Sequence, residues 1–134
     1  MKKVKMISLC SACLVMALVL TGGKKKDNIM TKVNGAYVVN TTELGKSVVG
    51  YEGPTPLKLY VKGDKVLKIE FLDNDETPRY WRAASNHLQT KWDGMTVDQA
   101  LEAQIDGRTG ATYSSDAVKQ NVKLALEYYK KNKR

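Results

Sequence analysis

Two runs of alternating apolar residues on either side of a glycine turn constrain this chain more than any other feature. Leu57-Lys58-Leu59-Tyr60-Val61 alternates, Lys62-Gly63-Asp64 turns the chain, and Lys65-Val66-Leu67-Lys68-Ile69-Glu70-Phe71 alternates again. Successive side chains on a strand point to opposite faces, so each run buries one face and wets the other. Two such runs about three residues apart, with glycine between them, predict a β-hairpin over 57–71 with one buried face.

The cover for that face is predicted downstream. Gly35-Ala36-Tyr37-Val38-Val39-Asn40 adds a weakly patterned strand before the hairpin. After the polar break Asp73-Asn74-Asp75-Glu76-Thr77-Pro78, proline suits the first position of a helix. Residues 79–91 then lead to Trp92 with Trp81, Ala84 and Leu88 at helical spacing. Asp93-Gly94 ends that element, and Thr96-Val97-Asp98-Gln99 has the form of a capping box opening the next, which continues through Ala100 and Leu101. Ser114-Ser115-Asp116 is expected to cap a last helix, with Val118, Val122, Ala125 and Tyr129 on one face and Leu126 beside them. Strands first and helices later give an α+β class: one small domain, an antiparallel sheet built around the hairpin and packed by C-terminal helices. The 134 residues allow one domain and show no internal repeat.

The charge is unevenly placed. There are 22 Lys+Arg against 14 Asp+Glu, a net +8. Residues 29–129 hold 12 basic and 13 acidic side chains, a net −1, so the excess belongs to the ends and a nucleic-acid role falls away. Residues 1–23 read as a signal peptide or signal anchor: a basic head, an apolar run over 6–20, then Thr21-Gly22-Gly23. Leu20-Thr21-Gly22 resembles the stem of a bacterial lipoprotein box, but Gly23 stands where that box has cysteine. With cleavage near Gly23 the mature chain has no cysteine, because Cys10 and Cys13 both lie in the apolar run. Residues 24–34 read as a polar tether, 35–130 as the folded domain and 131–134 as a basic tail. The tether lysines and the tail are the expected points of any peripheral membrane association, weakened by screening at physiological salt.

Most catalytic constellations are missing. His87 is the single histidine, so no two-histidine metal site can be built and a surface or packing role is its simplest reading. Asp73, Asp75 and Glu76 fit a solvated turn. The segment Asp106-Gly107-Arg108-Thr109-Gly110-Ala111-Thr112-Tyr113-Ser114-Ser115 is different. Its glycines let backbone N–H groups approach a ligand, and it runs into a helix N-terminus, where unpaired N–H groups and the macrodipole favour an anion such as phosphate. An ordinary Ser/Thr-capped helix after a glycine loop would read the same way.

At these residues the sequence resembles a known family. Asp106-x-x-Thr109-Gly110-Ala111-Thr112 is similar to the flavinylation motif of the FMN-binding domain family, which includes domains in the C subunit of the Na⁺-pumping NADH:quinone reductase and the G subunit of the Rnf electron-transfer complex. Gly50-Tyr51-Glu52-Gly53-Pro54 resembles that family's opening turn, and Glu76-Thr77-Pro78 its Glu-Thr-Pro signature. The resemblance runs from about Val49 to Tyr129. It departs after Pro78, where the family often has glycine and this chain has Arg79-Tyr80-Trp81, leaving Tyr80 or Trp81 to stack on an isoalloxazine ring.

The resemblance implies FMN carried as a phosphoester. A Mg²⁺-dependent flavin transferase takes FMN from FAD and joins its phosphate to the last threonine of the motif, here Thr112. Asp106 is then the leading acid for transferase recognition. Thr109, Gly110, Ala111, Tyr113 and Ser114 frame the acceptor, and Glu76 and Thr77 form a second contact loop near the flavin. The implied function is an exported electron carrier of the bacterial envelope, working between membrane or envelope redox proteins rather than as a stand-alone enzyme. The alternatives are a module that holds FMN non-covalently or serves protein contact alone, and a small flavin-dependent reductase. The second is disfavoured because no acid–base pair stands beside the motif.

Overall fold

The computed structural model describes residues 28–134. The signal reading of 1–23 and the first four residues of the tether, with Lys24, Lys25 and Lys26, lie outside them. Four antiparallel strands form one sheet in the order β1 (Met30–Val33), β2 (Ala36–Asn40), β3 (Leu57–Lys62) and β4 (Lys65–Phe71). The expected hairpin is β3–β4. Its turn is Gly63-Asp64, and Asn34-Gly35 makes the same kind of turn between β1 and β2. All four residues have positive φ (59° and 60°, 51° and 82°), the backbone of a two-residue turn whose twist matches that of the strands. The sheet therefore begins at Met30, inside the stretch read as tether.

The alternation along the hairpin is broken once. In β3, Leu57, Leu59 and Val61 are fully buried, but in β4 the buried pair Val66 and Ile69 is three residues apart. Val61 pairs with Val66 and Tyr60 with Lys68, so Leu67 is an extra, half-exposed residue in a β-bulge. The bulge returns Ile69 and Phe71 to the core face.

Four helices follow or interrupt the strands: α1 (Thr41–Leu44), α2 (Pro78–Leu88), α3 (Val97–Glu102) and α4 (Thr112–Asn132). Pro78 does open α2, and the Thr96–Gln99 capping box opens α3 with both of its hydrogen bonds made. The helix expected over 79–91 stops at Leu88. Trp92 is buried from the turn beyond it, and Trp81 packs edge-on against Phe71 with ring centroids 5.2 Å apart. Along α4, Val118, Val122, Ala125, Leu126 and Tyr129 form the expected stripe, and it covers the sheet face lined by Val39, Leu57, Leu59, Val61 and Ile69. The result is the α+β domain the sequence predicts, with its C-terminal helix on the sheet.

The C-terminal residues read as a basic tail are bound into the fold. α4 runs through Asn132, Lys133 Nζ lies 3.1 Å from Asp64 Oδ1, and the Arg134 backbone exchanges two hydrogen bonds with the Tyr37 hydroxyl. Lys130 pairs with Asp98 at 2.8 Å. An acid turned toward the helix C-terminus from the β3–β4 turn explains why the tail is not loose: the cations gain both a partner and the negative end of the helix dipole.

Candidate functional site

The chain between β2 and β3 is held down from three sides. Thr41 Oγ1 accepts from the Leu57 N–H and donates to its carbonyl (2.9 and 3.3 Å), and Asn121 of α4 donates to the Thr55 carbonyl at 2.8 Å. Between these anchors Gly50-Tyr51-Glu52-Gly53 bends so that three successive N–H groups point inward. They meet the Glu76 carboxylate. Oε1 accepts from Tyr51 N (2.8 Å), and Oε2 accepts from Glu52 N (2.6 Å) and Gly53 N (3.1 Å). Ser114, in the first turn of α4, donates its hydroxyl to Oε1 at 2.5 Å.

Glu76 is only 5% exposed. Burial alone would push its pKa up, but the Ser114 hydroxyl and the N–H groups of Glu52, Tyr51 and Gly53 outweigh it and hold the carboxyl below the ordinary range. Glu76 therefore couples the Tyr51 turn to the start of α4. Gly50 makes room for it. A Cβ there would fall 2.2 Å from Glu76 Oε1, so Gly50→Ala is expected to destabilise the domain by about 1–3 kcal/mol, read as a lower urea midpoint at unchanged m.

The loop that delivers Thr112 is sewn down in the same way. Lys119 Nζ donates to the Ile105 carbonyl (3.0 Å), His87 Nε2 to the Asp106 carbonyl (3.0 Å), and the Arg108 N–H to Ser115 Oγ (3.0 Å). The histidine thus serves as a loop anchor. Gly107 is required by close approach, since a Cβ would lie 2.8 Å from that of Ser115. The Ala111 N–H closes a turn onto the Arg108 carbonyl at 2.9 Å, with Gly110 in the left-handed region at φ +87°.

Helix α4 starts earlier than its serines suggest. Ser114 and Ser115 do not cap it. They are buried in its first turn with their hydroxyls used by Glu76 and Arg108, and the cap position is Ala111, which has no side-chain acceptor to offer. The first intrahelical bond is from Ser115 N to the Ala111 carbonyl. The N–H groups of Thr112, Tyr113 and Ser114 consequently have no helical carbonyl to meet, and the positive end of a 21-residue helix stands uncapped. Thr112 is the first helical residue and is exposed, with no partner for its hydroxyl among the described residues.

A cavity of about 350 Å³ opens over this point, lined by Gly110, Ala111, Thr112, Tyr113 and Ser114 and rimmed by Tyr51 and Tyr80. Tyr51 and Tyr113 are 64% and 66% exposed with ring centroids 6.0 Å apart, and Tyr80 is 43% exposed. Three exposed phenol rings around one hydroxyl offer flat apolar surface, although Tyr51 and Tyr113 lie against each other and the Arg79 guanidinium stands 5.7 Å from the Tyr80 ring centroid. Of the residue pair at the departure from the family pattern, Tyr80 reaches the cavity and Trp81 does not.

The remaining sequence candidates fall around this cavity rather than in it. Thr109 and Asp106 are exposed on the delivering loop, and Thr77 is the half-buried residue preceding α2. Glu76 sits behind the wall, bound to Ser114. Tyr51 was legible only as part of its glycine turn, because nothing in a sequence shows that Glu76 draws that turn against α4. Among the described residues no group of three His, Cys, Asp or Glu could hold a metal. A larger hollow of about 390 Å³ between α3 and α4, floored by Trp92, Ala100 and Leu126, has no comparable free hydroxyl or glycine turn.

No curated protein and no solved structure matches the sequence. A family model described as FMN-binding domain matches residues 50–127, more than half of the chain. That span opens at the glycine turn, takes in Glu76 and the Thr112 loop, and closes within α4: the chain belongs to the FMN-binding domain family.

Proposed function

We propose that this flavin-binding domain carries FMN on Thr112 as a phosphoester and relays electrons between redox proteins on the outer side of a bacterial membrane. The observation that carries the reading is the exposed Thr112 hydroxyl at an uncapped helix N-terminus, inside a cavity rimmed by tyrosines. These residues fit the group. Unpaired N–H groups and the helix dipole favour a phosphate dianion or diester at that end, and the phenol rings suit a flat tricyclic ring.

Attachment balances as a transfer. The bond from Thr112 Oγ to the FMN phosphorus forms, the pyrophosphate bond of FAD breaks, AMP leaves and the hydroxyl proton passes to the transferase. The attached flavin supplies one- or two-electron chemistry. The chain's own residues do the rest. Helix N–H groups would hold the phosphate and Tyr51, Tyr80 and Tyr113 would flank the ring, while Glu76 fixes the two walls relative to each other. With no acid–base pair lining the cavity, electrons leave through contact with a protein partner rather than to a bound substrate.

The test is to co-express the full chain with a Mg²⁺-dependent flavin transferase, denature it, and follow flavin fluorescence with the polypeptide and the mass increase of one FMN less one water. Flavin that leaves on denaturation assigns the domain to non-covalent binding. Turnover of a soluble oxidant without partner proteins assigns it to the reductases.

A further inference from the structure

All helices that pack on the sheet do so on the Leu57–Leu59–Val61 side, and the opposite face has no element over it among the described residues. Strand alternation places Lys58, Tyr60 and Lys62 of β3 and Lys65, Lys68 and Glu70 of β4 on that outer face. Four lysines against one glutamate give it +3. The rest of the described residues, twelve basic against twelve acidic, is neutral. The net +3 of the described residues therefore equals the charge of this face.

The lysines are not balanced within the face. Glu70 stands opposite Lys58 and accepts from the Tyr60 hydroxyl at 2.8 Å, and Lys68 Nζ lies 4.6 Å from the Tyr60 ring centroid. Lys62 and Lys65 stand directly opposite each other, and Asp64 in the turn between them is already engaged by the Tyr129 hydroxyl and Lys133, so the lysine pair weakens the hairpin unless an anion meets it. Half-exposed Val33 and Leu67 lie in the two edge strands. The chain also enters the fold here. Asn28 and Ile29 line a hollow of about 270 Å³ on this face with Val38, Lys58 and Tyr60, and Lys24-Lys25-Lys26 precede Asn28 by two to four residues in the sequence.

We propose that the outer sheet face docks on anionic lipid headgroups, with its lysines toward the bilayer and the helices away from it. Four clustered lysines match a negatively charged bilayer surface, whereas the C-terminal lysines 130 and 133 are already engaged by Asp98 and Asp64. The proposal deepens the envelope setting given above but does not depend on flavin.

The full chain is reconstituted with vesicles of phosphatidylcholine alone and of phosphatidylcholine with phosphatidylglycerol, then pulse-acetylated and read by mass spectrometry. Lys58, Lys62, Lys65 and Lys68 are expected to label at least about threefold more slowly on the anionic vesicles, with Lys91 and Lys123 unchanged and the protection lost at high salt. The double variant Lys62→Glu/Lys68→Glu, both exposed, is expected to fold as wild type and lose the protection. Equal labelling on both vesicles, or protection of Lys91 and Lys123 to the same degree, overturns the proposal. Protection by soluble heparin but not by vesicles also overturns it, in favour of an acidic macromolecule.

Discussion

Thr112→Ala is expected to remove covalent flavin completely while leaving the domain folded. Thr112 is exposed at the first position of α4 and its hydroxyl holds nothing among the described residues, so the change stays within about 0.5 kcal/mol of wild type. Co-expression with a flavin transferase should then give a soluble protein with an unchanged urea midpoint and no fluorescent band on a denaturing gel. Thr112→Ser keeps a hydroxyl in place and should retain labelling. The nearby hydroxyls make the result decisive. Ser114 and Ser115 are 2% and 0% exposed and committed to Glu76 and Arg108, so neither is open to a transferase. Flavin that survives denaturation in Thr112→Ala would have to sit on another exposed hydroxyl such as Thr109 or Tyr113, and the acceptor assignment would be wrong.

The second large effect is expected at Glu76, and it should fall on stability as well as on attachment. Glu76→Gln keeps the shape and removes the charge. Both carboxylate oxygens accept, one from Tyr51 N and Ser114 Oγ, the other from Glu52 N and Gly53 N. An amide has only one accepting oxygen. With it turned to Glu52 and Gly53, its NH₂ faces the Tyr51 N–H and leaves that donor buried without a partner. We expect a loss of about 1.5–3 kcal/mol, the range for hydrogen bonds to a charged group. Flavin attachment should slow several-fold because the Tyr51 wall is no longer tied to the first turn of α4, yet flavin once attached should survive denaturation as in wild type. That split separates a positioning residue from an acceptor.

The same carboxylate gives a signed pH dependence. Its folded pKa lies below the ordinary value, so on acidification the unfolded chain takes up the proton first. Its contribution is fully present above the unfolded pKa of about 4.3 and is lost as pH falls through the lower folded value. Urea midpoints of wild type should decline between about pH 5 and pH 3 more steeply than those of Glu76→Gln. Asp64, lowered by the Tyr129 hydroxyl and Lys133, acts in the same direction in both proteins, so the difference between the curves reports Glu76. Parallel curves would mean that Glu76 is not held as a carboxylate.

What the sequence made legible follows from the range over which each feature acts. The hairpin, the capping box at Thr96, the proline start of α2 and the apolar stripe of α4 are local patterns, and each appears where the pattern put it. The bulge at Leu67 could not be read, because Val-Leu-Lys is compatible with either face until its partner strand fixes the register. Asn34-Gly35 was a readable turn signal, and the lysine-rich sequence before it hid a short edge strand. The serines after Thr112 have the form of caps, because Ser-Ser-Asp precedes a helical run. Their hydroxyls instead satisfy Glu76 and the Arg108 N–H, which come from distant or folded-back chain. The Thr112 loop was legible as a motif. That Glu76 is a buried strut bonded to Ser114 depends on a contact across 38 positions.

Helix α4 has a consequence for how such a domain can be combined with others. At 1.5 Å per residue its 21 residues span about 31 Å, with Thr112 at one end and the other end fastened to the β3–β4 turn. A second redox module fused after Arg134 would start a full helix length from Thr112, where the proposed flavin would be attached. Connection in sequence would therefore give it no advantage in electron exchange, and a linker long enough to fold back past the tyrosine rim would be the feature that decides whether two such modules form a chain.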